Sequence, residues 1–468
     1  MPSLPKVKKG RTMNAIVSPT PPASPVRRCV SACKPLFIGV LALLLLIPLS
    51  MVRSLLSERQ SRRFDAVANI TGTWGESQTL IGPVLVVPYR IPVKTRREQR
   101  VEDQIKSVEE ISWSTAHACF LPTNLNVVGS LDPSILHRGI YEAAVYRGTF
   151  SLTGAFSPPD FGEWKVDPAN ILWDEAVVLV SVSDPRGLSD SLVLRLGETS
   201  LTLGPGSHLA SFDRPLRARM PAGLMNSTET TPFSLDMKLN GSGRLLIAPV
   251  GMQTQVAIDS PWADPSFQGA FLPVEREVAP TGFKAAWQVS YYGRPVPQSW
   301  ISADGMNAAS GLSNCSFGVS LVTPVDNYRL VERAMKYGIL FIVLLFTAFF
   351  LFETLARLRI HPLQYLLVGA ALCLFYLVLL ALSELLVFWE AYIVAAGAST
   401  ALVTGYSAAI LGRRRAVAIG LELVLIYGFL YTTLQLQDYA LVLGSAGLFA
   451  ALAVVMFSTR RVNWYDAH

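Results

Sequence analysis

The chain has 468 residues, 51% of them apolar and only 16% charged, with a formal net charge of +6, whereas a soluble domain carries about 25% charged residues. The apolar excess lies in one N-terminal run and in the C-terminal part, where apolar stretches follow each other closely. That distribution excludes a simple soluble enzyme, a disordered protein and a disulfide scaffold.

Residues 1–34 form a basic tail with seven Lys and Arg and no acid, and its Ser18–Pro25 stretch is Pro-rich and expected to be disordered. A hydrocarbon core about 30 Å thick takes about 20 apolar residues to cross as a helix. Pro35–Val52 is the first run that qualifies. Basic residues precede it, as in a secretory leader, but no small-residue cleavage site follows, so an uncleaved anchor is expected. Ser54–Trp74 reads as a continuing helix, with Leu55, Leu56, Val67 and Ile70 apolar and Arg59, Arg62 and Arg63 basic, until Gly75 stops it.

From there the pattern turns to strands. Pro83–Tyr89, Glu142–Phe150, Ala176–Ser183, Ser191–Leu203, Phe233–Leu239, Gly243–Ala248, Gln253–Asp259 and Phe283–Tyr292 are β-branched or alternating. Asn240-Gly241 predicts a type I′ hairpin between two of them. Gly82-Pro83 and Gly269 suit turns. The charged stretch Lys94–Glu110 reads as a solvated loop or a short helix. About eight to twelve strands with Gly and Pro punctuation favour a sandwich-like arrangement. His117 alternates with Ala116 and Ala118, as in a core or edge strand.

Five further apolar runs follow: Tyr337–Phe352, Leu363–Leu382, Ala391–Leu411, Ala416–Leu434 and Tyr439–Phe457. The expected fold class is an integral membrane protein with six transmembrane α-helices, an N-terminal anchor (35–52) plus a C-terminal five-helix bundle (337–457). A large β-rich, sandwich-like extracytoplasmic domain fills 53–336, and 458–468 is a short tail. Orientation follows from Lys and Arg, which stay on the cytoplasmic side. The segments 1–34, Arg357 with Arg359, Arg413-Arg414-Arg415 and Arg460-Arg461 hold fourteen basic residues, whereas the opposite short loops hold only Glu384, Glu390 and Asp438. Both termini are therefore expected in the cytoplasm. Residues 53–336 carry 26 basic and 28 acidic residues; with no basic face, nucleic acid is excluded as a partner. Membrane lipid is the expected partner, together with an envelope protein or the cell wall.

The chemistry-bearing residues are scattered. Cys29 and Cys33 precede the anchor, Cys373 lies in a span, and Cys119 and Cys315 stand in the oxidising compartment either as a disulfide or as two buried thiols. His117, His137, His208, His361 and His468 never pair at metal-ligand spacing, so no metal and no cofactor is expected. Ser31-Ala32-Cys33-Lys34 matches S-x-x-K by letters alone. Asp174-Glu175 is an unpaired acidic step expected to face solvent. No catalytic constellation emerges, and the chain reads as a non-enzyme.

Ionisable residues at membrane depth are the remaining candidates. Glu353 is four residues before Arg357, a helix-end ion pair. Glu384 and Glu390 flank a turn and can reach headgroups. Glu422 lies about 10 Å past Arg415 inside a helix, expected to bond Tyr427, to meet a neighbouring helix or to snorkel. A lipid or small-solute transporter using Glu422 as its polar element is the alternative function. Ala391, Ala395 and Ser399 form one line of small residues and Gly397, Ala401 and Gly405 another, spacing that suits close helix packing. Trp389, Tyr392, Trp464 and Tyr465 fall at interfacial depth.

Several ordered motifs resemble the CreD family of inner-membrane, cell-envelope-integrity proteins. They are Gln78-Thr79-Leu80-Ile81-Gly82-Pro83 running to Tyr89, Ser266-Phe267-Gln268-Gly269-Ala270-Phe271-Leu272-Pro273, and Gly282–Trp287 leading to Arg294 and Pro297-Gln298-Ser299-Trp300. Thr323–Tyr328, Lys336-Tyr337-Gly338, His361–Tyr365, Leu382-Ser383-Glu384 and Asp438–Leu441 complete the match. Leu385 stands where the family pattern has His, and Gln437 where it has Glu. The resemblance implies a bacterial inner-membrane protein that affects envelope integrity and tolerance of detergent or colicin, in many members under a two-component envelope or β-lactam stress response. It supplies no catalytic residues. Phe267, Phe271, Trp287, Arg294, Gln298 and Trp300 are the motif residues that suit either an aromatic core or an interaction surface.

Overall fold

A computed structural model describes residues 34–101, 104–221, 229–302, 307–321, 327–355, 360–436 and 439–460. The Pro-rich tail, Cys29, Cys33, Ser31–Cys33, Arg357, Arg359, Gln437, Asp438, Arg461, Trp464 and Tyr465 lie outside the described residues. Apolar runs of helical length and alternating runs of strand length fall in separate blocks. Contacts accordingly divide the chain into a β unit, Gln60–Asp326, and a helical unit, Met1–Arg59 with Asn327–His468.

The β unit holds seventeen strands among the described residues. They are β1 (Gln78–Val101), β2 (Gln104–Phe120), β3 (Asn124–Arg138), β4 (Tyr141–Phe156), β5 (Val177–Val182), β6 (Val193–Leu196), β7 (Thr199–Thr202), β8 (Gly204–Pro205) and β9 (Leu216–Arg219). Then come β10 (Thr231–Ser242), β11 (Arg244–Ile247), β12 (Gln253–Ser260), β13 (Pro265–Gly269), β14 (Glu275–Ala279), β15 (Gly282–Ser290), β16 (Ser299–Ile301) and β17 (Phe317–Leu321). One sheet runs β13-β17-β11-β1-β5-β9-β8, with β2 beside β1 and β16 beside β2; the other runs β14-β15-β12-β3-β4-β10-β6-β7. Strict alternation builds the inner faces: in β12 every second residue is buried. Val84–Val87, Leu179 and Val180 of the first sheet join Val127, Leu152, Leu235, Ile258 and Trp287 of the second in one core. Each such side chain contributes about 1.5–3 kcal/mol of burial.

Four local expectations change. Lys94–Glu110 is neither loop nor helix: β1 and β2 pair without a break from Leu85↔Phe120 out to Val101↔Gln104. Local charge density says nothing about a ladder whose partner strand follows immediately. Asn240-Gly241 is not a hairpin turn. Both residues sit inside β10, opposite Arg147 and Tyr146 of β4, and the chain crosses at Gly243 into β11 of the other sheet, where it pairs with β1 and β17. Gly82-Pro83 lies within β1 instead of at a turn, at a register shift between Ile81 and Val84. Gly82 has φ +124°, which glycine tolerates in such a bulge. Gly269 ends β13 with φ +102°, as a turn requires. The strand total exceeds the expected range because β3 and several short strands carry weak local patterns.

In the helical unit α1 (Lys34–Leu44) is followed after a break at Leu45 by α2 (Leu46–Trp74), which ends at Gly75. A short helix α3 (Ala308–Asn314) belongs to the β unit. Then α4 (Asn327–Lys336) and α5 (Gly338–Leu355) meet at a 46° bend. They precede α6 (Pro362–Ser383), α7 (Phe388–Leu411), α8 (Arg413–Gln435) and α9 (Ala440–Thr459). Among the described residues five helices are long and apolar enough to cross a membrane, and the bent pair, counted as one span, makes a sixth. α4 is amphipathic: Tyr328, Val331, Ala334 and Met335 are buried, while Lys336 pairs with Glu332 at 3.1 Å.

Candidate functional site

The aromatic motif residues converge inside the β unit. Trp287 on β15 is 2% exposed, its ring 5.8 Å from Phe267 and 5.7 Å from Phe317. Its indole N–H donates to the carbonyl of Phe271 at 3.3 Å. Phe271 meets Phe317 edge-on and Phe267 meets Phe283 edge-on, both at 5.8 Å. Trp300 on β16 is also buried. Edge-to-face geometry of this kind adds about 0.5–1.5 kcal/mol per pair beyond burial. Of the two readings of this motif, core packing describes these four aromatic residues.

Arg294 and Gln298 form a polar clasp beside that core. Arg294, 7% exposed, donates to the carbonyls of Pro249 and Val250 at 3.1 and 2.8 Å and to Gln298 Oε1. The Gln298 amide then donates to the carbonyls of Leu121 and Pro122, both at 2.8 Å. Burial pulls the Arg294 guanidinium down to about 10, with the Cys315 thiol acting in the opposite sense. No ion pair reaches this guanidinium among the described residues, so backbone carbonyls replace a carboxylate. The clasp ties the segments after β2, after β11 and before β16. Cys315 and Cys119 are both free and buried, so the thiol alternative holds and the disulfide does not form. Burial pushes the Cys119 thiol up to about 12.

A second network surrounds Gln78, whose role the sequence does not announce. Gln78 heads the first motif and is fully buried. Its Nε2 donates to the carbonyls of Asp184 and Asn240, each at 3.0 Å, while its Oε1 accepts from the Asp184 N–H at 3.1 Å. The Asp184 carboxylate accepts from the Glu76 N–H and from Arg186 Nε. Arg186 also donates to the Gly72 carbonyl at 2.9 Å and to Glu76 Oε1 at 2.9 Å, so it caps the C-terminal end of α2. Burial works to raise the Asp184 carboxyl, yet the hydrogen bonds from Arg186 and the Glu76 N–H outweigh it and hold it below its ordinary value. Trp74 donates to the Tyr146 carbonyl and lies under the Arg147 guanidinium at 5.0 Å. Ile70 packs on Ala143 and Val145. Gly75 permits this closure, since a Cβ there would stand 2.8 Å from the Asn240 carbonyl. A polar residue opening a buried apolar run was the available signal.

In the helical unit two distant motifs meet. Asn327 donates to the Ser383 carbonyl at 2.8 Å, the Tyr328 hydroxyl donates to Glu384 at 3.1 Å, and Arg59 approaches Glu384 at 3.6 Å. Glu384 is thus held by protein groups, where an exposed headgroup contact was expected. Glu353 accepts from the Ile360 N–H at 3.2 Å and the Tyr365 hydroxyl at 2.9 Å; its expected partner Arg357 lies outside the described residues.

Deeper in the bundle the Tyr392 hydroxyl donates to the Tyr427 carbonyl, and the Tyr427 hydroxyl bonds Ser399 at 2.9 Å. Tyr392 is therefore a core residue and not an interfacial anchor, while Trp389 remains half exposed. Ala391, Ala395 and Ser399 are buried, whereas Gly397, Ala401 and Gly405 are exposed. Glu422, inside α8, is half-buried and makes no hydrogen bond or ion pair among the described residues; Tyr427 is committed to Ser399. Asp174 and Glu175 face solvent. Among the described residues no group of three or more His, Cys, Asp or Glu could hold a metal ion.

Similarity to known proteins matches this architecture. The chain is 35% identical over 425 residues to inner membrane protein CreD of Escherichia coli (strain K12), covering 90% of this chain and 91% of that protein. Likeness to solved structures is slight. An M1 zinc metallopeptidase from Deinococcus radiodurans gives a TM-score of 0.20 at 10% identity over 39% of this chain and 41% of that chain. A substrate-bound mutant of that enzyme gives 0.18 at 9% identity over 38% and 40%. Neither value carries a fold argument. The model of the family described as inner membrane protein CreD matches residues 31–465, and with up to six candidate spans and a two-sheet β unit this chain belongs to that family of inner-membrane proteins.

Proposed function

We propose that the chain is a non-enzymatic protein of the cell envelope that contributes to envelope integrity and to the envelope or β-lactam stress response through a periplasmic interaction domain. One observation carries the reading. The chain leaves the helical unit after Arg59 and returns at Asn327, and both residues hold the turn after α6, Arg59 through Glu384 and Asn327 through the Ser383 carbonyl. Arg413–Arg415 open α8 at the other end of α7, a helix of 24 residues and so about 36 Å long. Basic residues keep to the cytoplasmic side, which supports a β unit that emerges on the opposite side with both termini inside. The motif residues in the β unit are spent on packing and on carbonyl-satisfying hydrogen bonds, so the reading assigns the interaction to other surface of that unit.

The carrier alternative finds less support. Glu422 stands apart from the Tyr392–Tyr427–Ser399 cluster, and that cluster satisfies its own hydrogen bonds. Carriers place polar groups at breaks near the midplane.

Orientation is tested with Val128→Cys, at a 51% exposed position on β3. A membrane-impermeant maleimide should label it in cells with a permeabilised outer membrane; labelling only after inner-membrane lysis overturns the periplasmic assignment. Cells lacking the protein should lose tolerance to detergent, and unchanged tolerance to both detergent and β-lactam removes the integrity role.

A further inference from the structure

Among the described residues β13 closes one end of the first sheet and β14 one end of the second, each with one unpaired edge. Ten residues, 270–279, run from the motif strand β13 to the end of β14. They carry a cluster of exposed apolar side chains, with Leu272 at 68%, Val274 at 69% and Val278 at 53% exposure. Every residue of β14 is exposed.

The register tells which face these side chains occupy. Arg276 and Val278 lie opposite Ala285 and Phe283 of β15, both buried in the core. They therefore continue the inner face of the second sheet. Val274 shares that face by alternation. Glu275 and Glu277 lie opposite Ala286 and Lys284 on the outer face. The inner-face row is Val-Arg-Val and the outer-face row is Glu-Glu. Among the described residues neither glutamate nor Arg276 takes an ion pair. Edge strands of soluble proteins are normally blunted against pairing, inward-pointing charges included; here Arg276 is such a charge, yet it stands between the exposed Val274 and Val278 on an edge whose main-chain groups are unpaired among the described residues.

We propose that the free edge of β14 is a docking site for an extended strand of another protein, with apolar side chains toward the inner face and basic side chains over Glu275 and Glu277. The site names the contact surface of the periplasmic interaction domain and rests on that reading. Charge complementarity selects the occupant. In pairings of two copies that keep inner face with inner face, registers centred on Glu275, Arg276 or Glu277 oppose like charges, which is destabilising. A second copy of this chain is thereby disfavoured. Main-chain hydrogen bonds would supply affinity and the alternate side chains the specificity, as in strand addition generally.

The test uses the full chain in detergent and a fluorescein-labelled eight-residue peptide of alternating valine and lysine, read by anisotropy. Two matched peptides accompany it: alternating valine and glutamate, and the valine–lysine peptide with alternate backbone amides N-methylated. The valine–lysine peptide is expected to bind at least about tenfold tighter than either. Val278→Lys and, separately, Val274→Lys should each weaken it about tenfold or more. Val193→Lys, at a 41% exposed position on β6, should leave binding unchanged. Equal binding of the N-methylated peptide, indifference to both Val274→Lys and Val278→Lys, or no binding of the valine–lysine peptide overturns the proposal. These outcomes are separable from failure of the periplasmic reading, which the maleimide experiment reads without any peptide.

Discussion

Gln78→Ala should loosen the joint between the end of α2 and the two sheets. The side chain is fully buried, and three main-chain groups depend on it: the Asp184 and Asn240 carbonyls and the Asp184 N–H. A stranded buried group costs about 1–3 kcal/mol. If water entering the vacated space satisfies one group, two remain, and the β unit loses about 3 kcal/mol. At about 2 °C per kcal/mol for a unit of this size, Tm falls about 6 °C. Gln78→Glu keeps the shape but sets an anion against the Asp184 and Asn240 carbonyls, so it should be at least as damaging. Thermal unfolding of the purified full chain, followed by tryptophan fluorescence, reads both variants. A fall below about 2 °C for alanine, or a glutamate variant as stable as wild type, refutes the role assigned to this side chain.

Arg294→Ala strands the Pro249 and Val250 carbonyls and should cost about 3 kcal/mol, whereas Arg294→Lys keeps a cationic donor group without the guanidinium fork and should cost roughly half as much; denaturant midpoints check both. The Asp184 carboxyl sits below its ordinary value when folded, so its stabilisation is present above about pH 4 and drains away as pH falls through the folded value. Asp184→Asn should flatten that acid dependence of Tm. The Cys119 thiol is raised to about 12 from 9.0, so its contribution is complete below pH 9 and lost as pH rises toward 12. At pH 8 without reductant, Cys119 and Cys315 should resist maleimide when folded and react on denaturation; failure to react until a reductant is added would mean a disulfide. Glu384→Gln removes the partner of Arg59, which is 36% exposed at its side chain, and should shift stability by less than about 1 kcal/mol.

The spans were legible because a bilayer demands about 20 apolar residues whatever the neighbours do. The end of α2 was legible too, since a glycine, Gly75, follows its last residue, although the Arg186 cap there was not. Alternation exposed the inner face of β12 before any partner was known. The aromatic motif could be assigned either to core or to surface, because exposure is a property of what packs above a ring and not of the ring.

Other features depended on distant chain. Asn240-Gly241 has the composition of a turn, yet pairing with β4 keeps both residues in strand, because a ladder already extended along β10 outweighs a two-residue preference. The polar network at Gln78 joins residues 106 and 162 positions away, separations that no local pattern encodes. Glu353, Glu384 and Glu422 look alike as isolated acids among apolar residues. Folding gives the first two hydrogen-bond partners and leaves the third without one among the described residues. Membrane crossing and strand period were set by the chain itself, through solvent exclusion and side-chain alternation that act residue by residue. Which sheet each strand joins, which acid finds a donor and which edge stays open were decided only by tertiary contact, because those interactions exist only once remote segments stand a few ångströms apart.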